Sequence, residues 1–349
     1  MTEDKGVPRH MPQLDSLRAF AVAGVMFLHF IGHLQILGQG VELFFVLSGF
    51  LITDILLRGA PTVEFVGSFY IRRALRLFPL YYLAIAIVVV FSQEMRDAWR
   101  FYAFYGANLW VVENQRWGVA THFWSLAVEE QFYLIWPLVV LWTPRRMLVY
   151  ICGVLIVVAP LFRLSAVLVA HNTFAYVLLP GSVDALACGA LLALFRPRRV
   201  TARGLIVAAA SAVATILCWL LWWRLDDPSV YVITMNSLAL PLFYVIIGGA
   251  AHGFRGPLGW VLSQGVLRYI GKISYGLYVI HFFVYEALAP YLSPSIRDPY
   301  AQAVVCAAVT IVLAAVSWHF FECPINRHRD LIVRGINERL SQIRFQRSD

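Results

Sequence analysis

The sequence predicts an all-α, polytopic membrane helix bundle of about ten transmembrane helices. Of its 349 residues, 60% are hydrophobic and only 14% charged, where a water-soluble chain carries roughly 25% charged residues. The apolar residues fall into separate runs at 16–36, 40–57, 77–92, 127–143, 147–170, 174–195, 204–223, 231–250, 271–290 and 300–321. Most approach the ~20 residues that a helix needs to cross a bilayer. Lys and Arg also cluster in every second connection between these runs, which sets an orientation.

The basic connections hold Lys5 and Arg9; Arg58, Arg72, Arg73 and Arg76; Arg145 and Arg146; Arg196, Arg198, Arg199 and Arg203; Arg255, Arg268 and Lys272; and the tail from Arg327 onward. The alternate ones hold only Arg96, Arg100, Arg116, Arg224 and Arg297. By the positive-inside rule both termini are then cytoplasmic. The net charge of +8 follows from this placement and does not point to nucleic acid. Residues 1–325 are read as the membrane domain and 326–349 as a basic cytoplasmic tail. Leu331, Ile332, Ile336, Leu340 and Ile343 give that tail an amphipathic face for the inner leaflet. Ala19-Phe20-Ala21 precedes the main apolar run, so the first span is expected to stay as an uncleaved anchor. The cysteines at 152, 188, 218, 306 and 323 form no C-x-x-C pair, which argues against a disulfide framework and a zinc site.

In the first span, LDSLRAFAVAGVMFLHFIGH, Arg18 and His29 are eleven residues apart. At ~100° per residue they share a face, ~16 Å apart along the axis. Arg18 then sits at the inner mouth and His29 near mid-membrane, where an imidazole needs a partner or a task. His29 and His33 form H-x3-H but lack the Glu of H-E-x-x-H, so no metal site is expected. In the second span Glu42 stands near the outer end, placed to orient a histidine of the first span, or idle at the interface. Ser48 lies deeper, before Gly49, which permits close backbone approach.

Arg72, Arg73 and Arg76 precede the third span on the inner side. With Arg18 and Lys272 they can form a basic vestibule for a polyanion, although a stop-transfer cluster has the same composition. Trp124, Ser125, Glu129 and Glu130 fall at the outer end of the fourth span, a surface able to grip a polyol or a plain interfacial belt. Asp184 is another acid at a span end. Ser274, Tyr278 and His281 share one face of the ninth span, with His281 at the depth of His29. The two imidazoles either line a polar cavity or bond to each other and pin their helices.

LDSLRAFAVAGVMFLHF, GVELFFVLSGFLIT, FYIRRALRLFPLYYL, HFWSLAVEEQFYLIWP, DALACGALLA, ISYGLYVIH and FFECP occur in this order. Over about 12–325 the chain thereby resembles the integral-membrane acyltransferase-3 family, whose members O-acylate cell-envelope polysaccharides, peptidoglycan, glycolipids and macrolides. The resemblance implies a bacterial inner-membrane protein that passes an acyl group, acetyl foremost, from cytosolic acyl-CoA to a hydroxyl of a carbohydrate or glycolipid acceptor, without a metal. It implies His29 as acid/base, Arg18 holding donor phosphates, and Glu42 and Ser48 completing the catalytic set. Arg72, Arg73, Arg76, Lys272 and Tyr278 would then contact the donor. Trp124, Ser125, Glu129, Glu130, His281 and Asp184 would contact the acceptor. Glu42 replaces the family's usual Asp, Ser182 an Arg before D-A-L, and Cys323 the basic residue of E-R-P. The chain shows no appended hydrolase-like domain, so the acceptor is expected to be handled by the membrane domain or a partner. The competing class is a transporter or flippase of an anionic lipid-linked glycan, for which no inverted repeat stands out.

Overall fold

The computed structural model describes residues 11–346, except 33, 60–61, 198–199, 226–228, 230–231 and 233–235, and side chains as far as 336. Lys5, Arg9, Arg198, Arg199, His33, and the Leu340 and Ile343 side chains lie outside the described residues.

The long helices are α1 (Pro12–Ile31), α2 (Gln39–Arg58), α3 (Val63–Phe91), α6 (Phe123–Trp142), α7 (Arg145–Leu168), α8 (Leu179–Phe195) and α9 (Ala202–Leu225). Short helices α4 (Gln93–Ala103) and α5 (Ala107–Asn114) sit between α3 and α6. After α9 come α10 (Leu240–His252), α11 (Gly256–Leu262), α12 (Gly265–Lys272), α13 (Ser274–Leu292), α14 (Pro299–Ser317) and α15 (Cys323–Gln346).

Local chemistry sets several boundaries. Pro12 opens α1, where its missing N–H costs nothing, and Gly32 ends it at φ 85°, its N–H on the Leu28 carbonyl at 2.8 Å. That left-handed closure suits glycine. Thr62 caps α3 by accepting from the Phe65 N–H at 3.2 Å.

Among the described residues six helices are long and apolar enough to cross a membrane, or seven if the pair Asn236–His252 and Gly256–Leu262, bent by 81°, is one span. The remaining expected spans at 127–143, 174–195 and 271–290 fall on α6, α8 and α13, which are helical but shorter or more polar. Large apolar side chains project outward along the long helices, among them Phe91, Tyr150, Ile206 and Val312, as a lipid-facing surface requires.

Two stretches between the expected spans are helical. The stretch 58–76 is mostly helix: α3 starts at Val63, so the three arginines stand inside a long helix. The stretch 93–126 contains α4 and α5. The C-terminal helix α15 follows a π-helical turn, Trp318–Glu322, and packs against α3. It buries Val333 while Leu331 and Ile332 remain exposed.

The bundle centre is α2 against α8. A Cβ on Gly49 would run into the Leu186 carbonyl, and one on Gly189 into the Val46 carbonyl. The two backbones therefore approach as closely as small residues allow. Gly49→Val should cost about 1–3 kcal/mol or more, since backbone cannot give way as a side chain does. A thermal melt of the purified variant checks this; an unchanged midpoint would contradict it.

Candidate functional site

The cavity is where α1, α2, α3, α6 and α13 converge. It measures about 810 Å³, and its wall includes Asp15, Arg18, Ser48, Glu64, Arg72, Arg73, Arg76, Ser125, Glu129, Tyr133, Ser274, Tyr278 and Arg329. Its mouth lies at the end carrying the α1 N-terminus, and its far end at Val41, Ser125 and Tyr278.

The arginines make the mouth basic. Arg18 lines the cavity and pairs with Asp15 one turn earlier at 2.8 Å. Arg73 sends Nε and Nη2 to Glu130 Oε1 at 2.9 and 2.7 Å, and its guanidinium lies 3.3 Å from the Tyr133 ring centre. Such stacking fixes the plane of the fork. Arg72 faces Asp330 of α15 at 3.4 Å. Arg76 is exposed, has Arg18, Arg73 and Arg329 as like-charged neighbours with Asp15 and Glu322 among the acids near it, and makes no ion pair within 4 Å among the described residues. A set of guanidiniums only partly neutralised suits a ligand with several phosphates.

Glu129 and Glu130 were expected across the membrane from these arginines. The structure instead puts Glu129 on the wall of the same cavity and Glu130 on Arg73: because α6 begins at Phe123, both lie about two turns inside the bundle. There Ser48 Oγ donates to Glu129 Oε1 at 2.7 Å.

Above the far end of the cavity is a cluster of imidazoles. His29 Nδ1 and His281 Nε2 are 2.8 Å apart, and His281 Nδ1 lies 2.7 Å from the Tyr278 carbonyl. A carbonyl can only accept, so His281 carries its hydrogen on Nδ1, and in the neutral ring Nε2 is the lone pair. His29 must then donate from Nδ1, which leaves its Nε2 as a free lone pair. This is the geometry of a base oriented by a second group and that group by a third. Of the two readings of the pair, the structure shows mutual bonding; the cavity wall ends at Tyr278, one turn short of His281.

His122, which opens the HFWSLAVEEQ stretch and drew no role from its spacing, is the third ring. It is buried, its Nε2 donates to the Val279 carbonyl at 3.2 Å, and its centre lies 5.1 Å from that of His281. Its Nδ1 is buried with no partner. Among the described residues no group of His, Cys, Asp or Glu is arranged to hold a metal ion.

Four expected site residues lie elsewhere. Lys272 is exposed, its Nζ 5.1 Å from the Trp318 ring centre, and is not on the cavity wall. Trp124 is buried, T-shaped to Phe45 and Tyr176 at 5.9 and 5.7 Å, and that burial leaves no open face for a sugar. Glu42 is buried with Asp184 and Arg163 as charged neighbours, and no bond links it to His29. Asp184 pairs with Arg163 at 2.9 Å, both almost wholly buried. Arg163 also donates to the Gly181 carbonyl and to Ser237 Oγ, each at 2.5 Å, and Ser237 donates to Asp184 at 2.6 Å. This network ties α7 to α8 and turns away from the cavity.

The family profile described as an acyltransferase domain matches residues 11–319. The chain is similar to a peptidoglycan O-acetyltransferase, OatA, of Listeria monocytogenes, 30% identical over 92% of this chain and 56% of the relative. It is also similar to the O-acetyltransferase OatA of Staphylococcus aureus, 28% identical over 92% of this chain and 58% of the relative. The chain thus spans a little over half the length of these curated relatives. No solved structure matches it.

Proposed function

The chain belongs to the acyltransferase-3 family, and on that premise we propose that it moves an acetyl group from cytosolic acetyl-CoA to a hydroxyl of a cell-envelope glycan. Peptidoglycan is the acceptor named for one relative, and a polymer of that chemistry is the proposed acceptor here. The reading includes a bacterial cytoplasmic membrane, ten spans counting α6, α8 and α13, and both termini in the cytoplasm. The observation that carries it is one cavity with guanidiniums at its mouth and an oriented imidazole pair one turn beyond its end.

In this mechanism Arg18, Arg72, Arg73 and Arg76 hold the phosphates of the donor at the mouth, and the pantetheine arm runs along the cavity. The thioester comes to rest near Tyr278. His29 Nε2 takes the proton of the acceptor hydroxyl as that oxygen attacks, and returns it to the departing thiolate. Ser48 and Glu129 lie along the donor's path. The fully buried positions of Asp184, Glu42 and Trp124 support structural roles, not contact with the acceptor.

The test is direct. Given an N-acetylglucosamine oligomer as acceptor, purified protein in nanodiscs should bind acetyl-CoA and release CoA thiol; no binding of acetyl-CoA would favour transport, and binding without turnover would overturn the reading. Arg76→Ala should raise KM for acetyl-CoA ~10-fold with little change in kcat, the signature of lost ground-state binding to a charged group. Since Arg76 has no ion pair to break, its fold should be intact. An unchanged KM would remove Arg76 from the donor site.

A further inference from the structure

We infer that Ser125 and Tyr278 form the oxyanion-holding pair of the transfer step, an assignment that rests on the acyl-transfer reading above. Both line the cavity at its far end. Ser125 Oγ and Tyr278 Oη are 2.5 Å apart, and both reach a single acceptor, the carbonyl of His122, at 3.3 Å from Ser125 and 2.9 Å from Tyr278.

The hydrogen-bond balance is what makes this a site. Two hydroxyls carry two donors, but the protein offers them one carbonyl. Whichever hydroxyl satisfies His122, the other can only donate to its neighbour. That second bond can be exchanged for one to an arriving oxygen without leaving the buried carbonyl unpaired. By contrast Ser48, also on the wall, is committed to a carboxylate at 2.7 Å.

Position agrees with chemistry. The Tyr278 ring centre lies 5.5 Å from that of His281 and 5.8 Å from that of His122. The carbonyl that fixes the His281 tautomer is that of Tyr278 itself, so one residue sets both the base and the donor. As the acceptor oxygen bonds to the thioester carbon, its proton passes to His29 Nε2 and the carbonyl π pair moves onto oxygen, held by whichever O–H of the pair the His122 carbonyl does not take. Collapse restores the C=O bond and breaks the C–S bond, and the thiolate takes the proton from His29. The products are an ester and CoA thiol.

The experiment uses the full chain in nanodiscs, with acetyl-CoA as donor and an N-acetylglucosamine oligomer as acceptor. Tyr278→Phe should lower kcat ~10²–10³-fold, the cost of an oxyanion donor, while Kd for acetyl-CoA stays as in the wild type. Ser125→Ala should also lower kcat, and Ser125→Thr, which keeps a hydroxyl, should restore most of it. 3,5-Difluorotyrosine at position 278, nearly the same size but a stronger donor, should raise kcat, which a purely structural role would not do. Wild-type kcat in Tyr278→Phe, loss of acetyl-CoA binding in that variant, or no response to fluorination would each overturn the assignment. A wild-type protein that binds acetyl-CoA without turnover would remove the acyl-transfer reading, and this assignment with it.

Discussion

His29→Ala should reduce acetyl transfer by ~10²–10⁴-fold, the range for removing a positioned general base, and leave acetyl-CoA affinity unchanged. The reason for so large a loss is that the remaining lone pairs, on His281 Nε2 and His122 Nδ1, belong to rings that are wholly or almost wholly buried. His281 has its Nε2 engaged by His29 and its Nδ1 hydrogen on the Tyr278 carbonyl. His122 is buried and turned to Val279. Affinity should persist because the cations of the cavity mouth stand away from His29, with Arg18 ~16 Å along the same helix. Single-turnover release of CoA thiol, read beside equilibrium binding of acetyl-CoA, separates the two quantities. Wild-type turnover in His29→Ala would exclude it as the base.

The largest effect on stability is expected at Asp184. Its removal leaves Arg163, which has no solvent exposure, as an uncompensated buried charge, at a cost of about 3–5 kcal/mol. The thermal midpoint of Asp184→Ala, followed by size-exclusion chromatography after heating, should fall accordingly. Replacing both partners by apolar residues, Arg163→Met with Asp184→Leu, should recover most of the loss, because no charge is then stranded. Acetyl-CoA affinity of the surviving folded protein should match the wild type. A double variant as unstable as the single one would contradict this account. A stable Asp184→Ala that had lost transfer would return Asp184 to the acceptor site.

The helices and the first span's Arg18–His29 face were legible because apolar periodicity and spacing are properties of one segment. The depth match of His29 and His281 was legible too, by counting inward along two spans. What the segments do to one another was not. FYIRRALRLFP falls largely outside the apolar runs because its arginines depress local hydropathy; the Glu130 that neutralises Arg73 is 57 residues away. Placing Glu129 and Glu130 on the opposite side from the arginines followed from the same late helix start. Lys272 has the right charge and membrane level for the vestibule, but its helix turns it toward Trp318. His122 carries no spacing signal; only its adjacency to Phe123 and Trp124 marks it, and aromatic belts look alike.

The backbone contact of Gly49 with Leu186 also has a mechanical meaning. Ser48 is the next residue, so it cannot shift without carrying α8, and α8 is bound to α7 through Asp184 and Arg163. That wall of the cavity is stiff. The opposite wall is α3, tied to α6 by Arg73 on Glu130 and to α13 by the Tyr275 hydroxyl on the Leu77 carbonyl, while its one exposed ion pair to the C-terminal helix, at Arg72, is worth only about 0–1 kcal/mol. The weakest seam of the chamber is thus the one between α3 and α15, while the side that carries Ser48 keeps its register with α7 and α8.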